Sequence, residues 1–597
     1  MLGKIMGIEG NTVLVKLGVE LSTVQNIIGL YVIMKDNDIQ IVGEITEINN
    51  EIITINLIGE IINNEFVFGV IRKPSFSSIV SLIKKENVSR IIGINNYQDH
   101  EHLYLGKSPV YSDVQIGVNI NNFFSNHFAI FGSTGSGKSC SVARIFQNLF
   151  EKKDAIAYRA SIFIFDAYGE YHSAFSDLHK KNPNINFKTY TTNLHFSETE
   201  VLRIPLWLLD VDDLALLLGA DRHSQLPIIE KALKLVTIFG QDEELVLKHK
   251  NDIIARALLD ILSSGRPPVQ IRDQIISILT HYHTRELNLE TEIFQPGYTR
   301  PLKQLFSIDA SGKIREIELI TSFIESLLTD DLELKLPDGS FPYNLKDLKD
   351  AFDFALISEG VLKSDRIYDD SNVLKIRLNS LINGSYNTYF DYPEYVTRHQ
   401  YIKQLLTSHD GKKAQIVNFN INYIDDRLAK TVTKIYSKLL FNYSKELEHR
   451  ASLPFHIILE EAHRYVQNDN DVNLLGYNIF ERITKEGRKY GVLIGLISQR
   501  PSELSETTLS QCGNFLIFKM IHPKDVAYIK EMLPSITNEI IKNLRILQPG
   551  VCMAFGLGFK VPSMIKFNMP NPEPESSSAD ISKTWFVRRK KESIQEE

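Results

Sequence analysis

Cysteines and long apolar runs are scarce in this sequence of 597 residues. The three cysteines, Cys140, Cys512 and Cys552, lie far apart and in no spacing typical of metal ligands, which argues against a disulfide framework and suits a reducing cytoplasm. The first residues lack the continuous apolar core of a signal peptide, and no later stretch reaches the roughly 18 apolar residues that span a bilayer. We therefore expect a cytoplasmic protein with no membrane contact.

An excess of positive charge is also missing. The net charge is −7, so the overall balance does not support binding to nucleic acid. Any contact with DNA must come from a local basic lining, such as the bore of a ring. Lys519 and Lys524, on a loop between a strand and a helix, are weak candidates for this lining, whereas the turn Gln467–Asn473 is too acidic.

The N-terminal part has the pattern of a small β-domain. From the start to about Arg72, short runs rich in Val and Ile alternate with polar turns. Strands at this regular spacing are typical of an antiparallel barrel, and we assign residues 1–115 to it. The predicted strands are Thr12–Leu17, Gly29–Met34, Ile39–Ile48 and Glu51–Leu57.

The pattern changes to that of an α/β fold from residue 116 onward. Phe128–Phe131 is a buried-type strand, followed by a glycine-rich turn, an amphipathic helix through Phe150 and the apolar strand Ser161–Asp166. This order predicts a parallel sheet with covering helices. We expect residues 116–197 and 408–567 to form the sheet, and the helical periodicity of residues 198–407 to mark an inserted helical bundle.

The C-terminal residues 568–597 differ in composition from the rest. The segment NPEPESSS is rich in Pro, Ser and Glu, which is typical of a flexible linker. The last residues, Ile581–Glu597, are short, amphipathic and basic.

The strongest functional signal is GSTGSGKS at residues 132–139, which fits the phosphate-binding pattern G-x-x-x-x-G-K-[ST] between a strand and a helix. Glycines let backbone N–H groups converge on phosphates, Lys138 offers a cation, the Ser139 hydroxyl can ligate Mg²⁺, and the helix N-terminus adds its dipole. The motif predicts a site for ATP and Mg²⁺. Its nucleotide-binding residues are Gly132, Thr134, Gly135, Ser136, Gly137, Lys138, Ser139 and Cys140.

Two consecutive acids, Glu460 and Glu461, follow the apolar strand that contains Ile457–Leu459. We expect Glu460 to reach the Mg²⁺ shell through water and Glu461 to polarise the attacking water. Taken alone, two acids at the end of a strand fit a solvated strand end equally well, and it is the phosphate-binding motif that favours catalysis. Asp is usual at the first position, so the extra methylene of Glu460 changes the reach to the metal.

Two further residues have candidate catalytic roles. Ser498 and Gln499 follow the apolar strand Gly491–Ile497. At the end of a strand beside the phosphate-binding loop, the Gln499 amide can sense the γ-phosphate or simply cap the strand. Arg488 follows a glycine at the end of a helix, where a guanidinium can enter a neighbouring subunit's site or remain an ordinary surface charge.

Asp166 and Glu170 follow the strand after the phosphate-binding helix, in the sequence DAYGEY. Acids at this position can hold water or metal near the nucleotide. They can equally cap the next segment, and the sequence does not decide between the two interpretations.

The ordered set of motifs resembles the HerA-type ATPases, in the HerA/FtsK branch of the additional-strand, RecA-like fold. The resemblance rests on the N-terminal barrel and on GSTGSGKS, FDAYGEY, PLWLL, ILEEAH, KEGRKYG and SQRPSEL in that order, and the sequence LQPGVCMAFG before Pro562 resembles the family's closing hairpin. It implies an α/β fold with a RecA-like P-loop ATPase core, an N-terminal barrel, an inserted helical bundle and a C-terminal brace. Two residues depart from the family pattern: Glu460 replaces Asp, and Ala167-Tyr168 stands where Pro-His is more typical.

The resemblance also implies roles and partners. Lys138 and Ser139 resemble the family's phosphate and Mg²⁺ ligands, Glu461 its catalytic glutamate, Gln499 its sensor and Arg488 its trans-acting arginine. The family's members act as homo-hexameric rings that move double-stranded DNA. They commonly work with a partner effector on the barrel face, either a nuclease in DNA end processing or, in anti-phage defence, a nuclease or a sirtuin-type NAD hydrolase.

Two classes of function therefore compete. The first is an ATP-driven motor on duplex DNA. The alternative is a nucleotide-gated ring scaffold that assembles and activates an effector without obligate DNA translocation, an idea motivated by the acidic net charge and by Glu460. A monomeric kinase with the same phosphate-binding motif would need neither Arg488 nor Gln499.

Overall fold

A computed structural model supplies the coordinates. It describes residues 2–18, 27–36, 39–93, 97–111, 114–195, 199–239, 243–310, 312–329, 342–359, 365–532, 538–576 and 581–586. Within these ranges no helix has the length and apolarity needed to cross a bilayer.

The N-terminal residues form a closed β-barrel with its own apolar core. Alternating burial along strands such as Thr12–Leu17 and Ile52–Ile62 sends every second side chain into this core. The paired strands of the barrel are antiparallel, and pairing of the second strand with the fifth closes it. The described strands are β1 (Gly3–Glu9), β2 (Thr12–Leu17), β3 (Tyr31–Asp36), β4 (Ile39–Asn49), β5 (Ile52–Ile62), β6 (Glu65–Phe68) and β7 (Ile79–Leu82).

A short helix then leads into the first part of the large sheet. Strand β10 is buried at every position, as expected for a strand covered on both faces. The elements are α1 (Lys85–Ile92), β8 (His102–Lys107), β9 (Gln115–Asn119), α2 (Ile120–Phe124), β10 (His127–Phe131), α3 (Lys138–Phe150), β11 (Ile162–Asp166), α4 (Tyr171–Ser176), α5 (Leu178–Lys181) and β12 (Phe187–Thr191).

The next part is mostly helical, as the sequence predicts. Its helices share one apolar core with a face of the large sheet, so the insertion packs against the sheet directly. The elements are β13 (Glu200–Val201), α6 (Val211–Leu218), α7 (Leu226–Phe239), α8 (Glu243–Leu262), α9 (Pro268–His281), β14 (Glu292–Gln295), β15 (Tyr298–Pro301), α10 (Leu302–Leu305), α11 (Ile317–Glu325), α12 (Leu345–Glu359), α13 (Asp365–Asn383) and α14 (Arg398–Leu405).

The chain then returns to the sheet. The elements are β16 (Ile416–Asn420), α15 (Asp426–Glu446), β17 (Phe455–Leu459), α16 (Asp471–Leu475), α17 (Ile479–Glu486), β18 (Val492–Ser498), α18 (Glu506–Ser510), β19 (Cys512–Ile517), α19 (Pro523–Met532), α20 (Asn538–Leu544), β20 (Val551–Gly556), β21 (Ser563–Phe567) and α21 (Ile581–Phe586).

The order of strands in the large sheet decides which motifs meet. Among the described residues it is β13-β12-β16-β11-β17-β18-β10-β19-β20-β21-β8-β9. Strands β13 through β19 of this order run parallel, and the remaining pairs are antiparallel. Strand β18, which lies between β10 and β17, is the additional strand of the expected RecA-like core. The carboxyl ends of β10, β17 and β18 therefore lie side by side at one edge of the sheet.

One boundary differs from the prediction that the barrel extends to residue 115. The hairpin of β8 and β9 pairs with β21 in the large sheet, and β7 is the last described strand of the barrel. The short apolar strands of this hairpin resemble those of the barrel in sequence, so only their pairing distinguishes them.

The predicted flexible linker is docked on the core as far as Ser576. The buried Gln147 on α3 donates to the carbonyl of Pro572 (2.9 Å) and accepts from the N–H of Asn571 (2.9 Å). The Ser173 hydroxyl donates to the carbonyl of Glu573 (2.9 Å). Composition misses this docking because it uses mainly the linker's backbone groups. We call residues 568–576 the C-terminal strap; of the predicted brace, residues 577–580 and 587–597 lie outside the described residues.

Candidate functional site

The phosphate-binding loop connects the buried strand β10 to helix α3. Gly135 and Gly137 have φ values of 71° and 94°, a left-handed backbone that favours glycine. A Cβ on Gly137 would lie 2.8 Å from the backbone nitrogen of Gly550, and the N–H of Gly550 donates to the carbonyl of Ser136 (2.9 Å). The turn before the closing hairpin therefore supports the loop directly.

Lys138 is buried at the first position of α3. Its ammonium donates to the carbonyl oxygens of Gly132 (2.7 Å) and Ser133 (3.2 Å). Burial lowers the pKa of Lys138, and the nearby carboxylates of Glu461 and Glu460 oppose that shift. The loop thus places a cation opposite a group of acids.

Those acids lie at the end of β17. Burial, followed by repulsion from Asp166 and Glu170, raises the pKa of Glu460 well above its ordinary value. In the described chain, no hydrogen bond satisfies one buried carboxylate oxygen of each of Glu460, Glu461 and Glu170. A buried carboxyl oxygen without a hydrogen-bond partner destabilises the fold. Oxygen atoms of this kind are the ligands that hard divalent cations prefer. Among the described residues, no three His, Cys, Asp or Glu side chains are arranged to hold a metal ion by themselves, and Glu460 and Glu170, near Ser139, are the carboxylates that would contribute to an Mg²⁺ site shared with phosphate oxygens.

Asp166 and Glu170 divide the two roles that the sequence left open. The carboxylate of Asp166 accepts the N–H groups of Gly169 (2.8 Å), Glu170 (3.0 Å) and Tyr171 (3.0 Å), so it caps the loop after β11. Burial raises the pKa of Glu170, and a hydrogen bond with the Ser139 hydroxyl opposes this. Asp166 therefore caps the loop and also adjoins Glu460, and Glu170 lies against Ser139.

Gln499 joins the phosphate-binding loop to the second acid. Its amide nitrogen donates to Glu461, and its amide oxygen accepts from the Thr134 hydroxyl (2.5 Å). The three side chains come from the ends of β17 and β18 and from the loop after β10, which the strand order makes neighbours. Predicted site residues far apart in sequence thus form one hydrogen-bonded chain.

Arg488 lies at the amino-terminal ends of the parallel strands, opposite the phosphate-binding loop. It precedes β18 and is near His127 at the start of β10. Five residues of β10 separate this edge from the loop, a distance of roughly 15 Å at about 3.3 Å per residue. The side chain is exposed, and it is too far away to serve the nucleotide site of its own subunit.

Cys140, the last predicted nucleotide-binding residue, meets the C-terminal strap. Burial raises the pKa of its thiol, and a hydrogen bond with the Ser576 hydroxyl opposes this. The N–H of Glu575 donates to the carbonyl of Glu170 (2.9 Å). The strap therefore borders the site, a feature that the sequence analysis missed. His463 is a further residue beside the site that no sequence pattern singled out, although it lies two residues after Glu461.

Comparison with known proteins places this architecture in a family. A family model described as the central domain of helicase HerA matches residues 103–440. The chain belongs to the HerA helicase family. The DNA double-strand break repair helicase HerA of Pyrococcus furiosus is 21% identical over 535 residues, which are 89% of this chain and 80% of that protein. The HerA relative from Saccharolobus solfataricus is 24% identical over 568 residues, 94% of this chain and 86% of that protein.

Solved structures give a more distant likeness. VirB4 of Thermoanaerobacter pseudethanolicus matches with a TM-score of 0.42 at 12% identity, covering 82% of this chain and 100% of that one. Membership of the HerA family, together with the phosphate-binding loop, makes this protein a P-loop ATPase of the helicase type.

Proposed function

We propose that this HerA family member is an ATP-driven motor that moves double-stranded DNA through a homo-hexameric ring. The observation that carries the proposal is the bonded chain from Thr134 through Gln499 to Glu461, opposite the buried Lys138. A site that links a phosphate-sensing amide to a base can couple hydrolysis to movement. The relatives named as DNA double-strand break repair helicases support the choice of DNA as substrate.

In this proposal each residue has one task. Lys138 and the loop amides bind the phosphates of ATP, and Ser139 and Glu460 hold Mg²⁺. The bound Mg²⁺ neutralises charge that develops on the phosphates. Glu461 accepts a proton from the attacking water, and Gln499 orients that water.

The trans-acting role of Arg488 completes the site. The exposed side chain lies on the sheet edge opposite its own loop, so a head-to-tail ring would bring it to the neighbouring subunit's nucleotide. Mixing Arg488→Ala subunits with Lys138→Ala subunits tests this. Mixed rings form shared sites that have both an intact loop and an intact arginine, so we expect partial recovery of hydrolysis. No recovery would count against the trans role.

Contact with DNA is proposed for the loop after β19. The backbone carbonyl of Lys519 on this loop accepts the N–H of Ser133 from the phosphate-binding loop (2.8 Å), and the exposed Lys524 follows in the first turn of α19. A cation at the start of a helix whose preceding loop is bonded to the nucleotide site can pull on a DNA phosphate as that site changes.

The deciding experiment measures ATP hydrolysis with and without duplex DNA. We expect duplex DNA to stimulate hydrolysis, Lys138→Ala and Glu461→Ala to abolish it, and Lys524→Ala to lose stimulation while keeping the basal rate. A correctly assembled ring whose hydrolysis no DNA changes would rule out the motor.

A nucleotide-gated scaffold for an effector remains a second candidate because of the barrel surface. Phe68, Ile71 and Phe76 are 60%, 90% and 66% exposed, and exposed apolar residues mark a partner contact where they form a contiguous patch. The nuclease or NAD hydrolase expected from the resemblance would dock there. The test mixes the ring with the protein encoded next to it and assays that enzyme: activation that Ile71→Asp abolishes supports the scaffold, and indifference to the ring excludes it.

A further inference from the structure

His463 has no role in the function proposed above, yet its side chain lies against Glu461. It belongs to a single 3₁₀ turn, Ala462–Arg464, directly after the two acids. Its Nδ1 atom lies 3.3 Å from Oε2 of Glu461 and 3.1 Å from the Ser498 hydroxyl. The ring therefore lies between the proposed base and the end of β18.

The backbone of Glu461 makes a neighbouring support necessary. Its φ and ψ angles are both 47°, a left-handed conformation that residues with a side chain seldom adopt. The turn that carries His463 holds this conformation, because the N–H of Arg464 donates to the carbonyl of Glu461 (2.8 Å). The backbone thus fixes where the side chain of Glu461 begins, and side-chain contacts must fix where its carboxylate ends.

The two carboxylate oxygens of Glu461 differ in their contacts. Gln499 donates to Oε1. In the described chain, Oε2 is buried and accepts no hydrogen bond. Nδ1 of His463 lies 3.3 Å from Oε2, but the geometry of this contact is not that of a hydrogen bond. The hydrogen bond of Nδ1 is made with the Ser498 hydroxyl, so donation to Oε2 requires the ring to turn toward Glu461.

The chemistry of the ring decides what it can offer. Burial lowers the pKa of His463, which favours the neutral imidazole, and a neutral imidazole has one N–H. An ionised carboxylate only accepts hydrogen bonds, whereas the Ser498 hydroxyl can either donate or accept. Only the tautomer with hydrogen on Nδ1 has a donor to offer Oε2 of Glu461, which lies 3.3 Å away.

We propose that His463 is a positioning residue that fixes the carboxylate of Glu461 through Nδ1–H, an inference that rests on the proposed role of Glu461 as the base. Gln499, as the proposed sensor, must release Glu461 when it turns toward a ligand. His463 then supplies the remaining side-chain contact that keeps the carboxylate aimed.

The test compares His463→Leu with His463→Asn in the full-length protein. The asparagine amide reaches the position of Nδ1 and carries an N–H, whereas leucine fills similar space without a donor. We expect His463→Leu to lower kcat roughly 10- to 100-fold, as misaimed catalytic groups do, and His463→Asn to restore it to within about threefold of wild type. Affinity for ADP with Mg²⁺, measured by calorimetry, stays unchanged in both, and matching melting temperatures exclude misfolding.

Two results would overturn the inference. One is an unchanged kcat in His463→Leu; the other is an equal loss in both variants, which indicates packing instead of donation. Glu461→Gln is run in parallel: if it retains hydrolysis, the proposed base is wrong whatever His463 does. If Glu461→Gln is inactive and His463→Leu is fully active, the inference about His463 alone fails.

Discussion

Gln499 contacts Glu461 and Thr134 at the same time, through the two ends of one amide. The proposed sensor is therefore hydrogen-bonded to the proposed base on one side and to the phosphate-binding loop on the other. A ligand that attracts the Thr134 hydroxyl or the Gln499 amide must change the surroundings of Glu461. Under the proposed function, this contact links ligand binding to activation of the base.

Removing that amide should separate binding from hydrolysis. We expect Gln499→Ala to lower kcat by about 100-fold, since an orienting group contributes on this scale, and to change the Kd for ADP by less than about threefold. Thr134→Val, which lacks the hydroxyl, should lower kcat in the same direction, and Thr134→Ser, which keeps it, should not. A loss of affinity for ADP that matches the loss of kcat in Gln499→Ala would contradict a sensor role.

Glu460 should matter only when Mg²⁺ is present. Its carboxyl is buried beside Asp166 and Glu170 and has one unpartnered oxygen. We expect Glu460→Gln to lose about tenfold in affinity for ADP with Mg²⁺ and to match wild type in EDTA, because the amide lacks the charge that a divalent cation requires. Glu460→Asp is the matched control and should keep most of the gain from Mg²⁺. Equal losses with and without the metal would exclude a role for Glu460 at the cation.

The C-terminal strap should detach when Gln147 cannot bind it. Gln147→Leu preserves volume but removes the paired bonds to Asn571 and Pro572, at an expected cost of roughly 1–3 kcal/mol of stability. Limited proteolysis should then cut residues 568–576 faster than in wild type. Ser173→Ala, which removes the single bond to Glu573, should have a smaller effect. Unchanged cleavage in Gln147→Leu would mean that other contacts hold the strap.

Acid should destabilise the protein through His127. This ring is fully buried, and its Nδ1 accepts the N–H of Ile494 (2.9 Å). Burial lowers the pKa of His127 from 6.5 to about 4. Between these values the unfolded chain binds a proton that the folded chain excludes, so folding stability rises with pH across this window and is lost as pH falls through it.

The size of this effect and its control are both measurable. The shift corresponds to roughly 3 kcal/mol at full titration. His127→Asn keeps an acceptor for Ile494 but cannot be protonated, so its urea-unfolding free energy should vary less between pH 4 and pH 6.5. The exposed His100→Asn is the matched control. A slope in His127→Asn equal to that of wild type would contradict the assignment.

Local patterns made much of the fold predictable. The strand before the phosphate-binding loop, helix α3 and the closing hairpin follow from apolar periodicity and from glycines whose conformations the turns require. The phosphate-binding motif identifies Lys138, and positions at strand ends identify Glu461 and Gln499. The strand order then brings those ends together, as parallel sheets of this class do.

Other features depend on contacts between distant segments. Residues 568–576 have the composition of a linker, yet they dock because a buried amide on α3 satisfies their backbone. The hairpin of β8 and β9 has the apolar pattern of barrel strands, yet it pairs with β21. Neither pairing leaves a signal in the segment itself.

The sequence by itself determined which chemical groups are present and on which elements they lie, because helix, strand and turn preferences act over a few residues. Only the tertiary structure decided that Asp166 caps a loop while Glu170 faces Ser139, that Arg488 lies at the far edge of the sheet, and that His463 touches Glu461. Those relationships are set by distances between segments that fold together from remote parts of the chain, and local residue preferences carry no information about such distances.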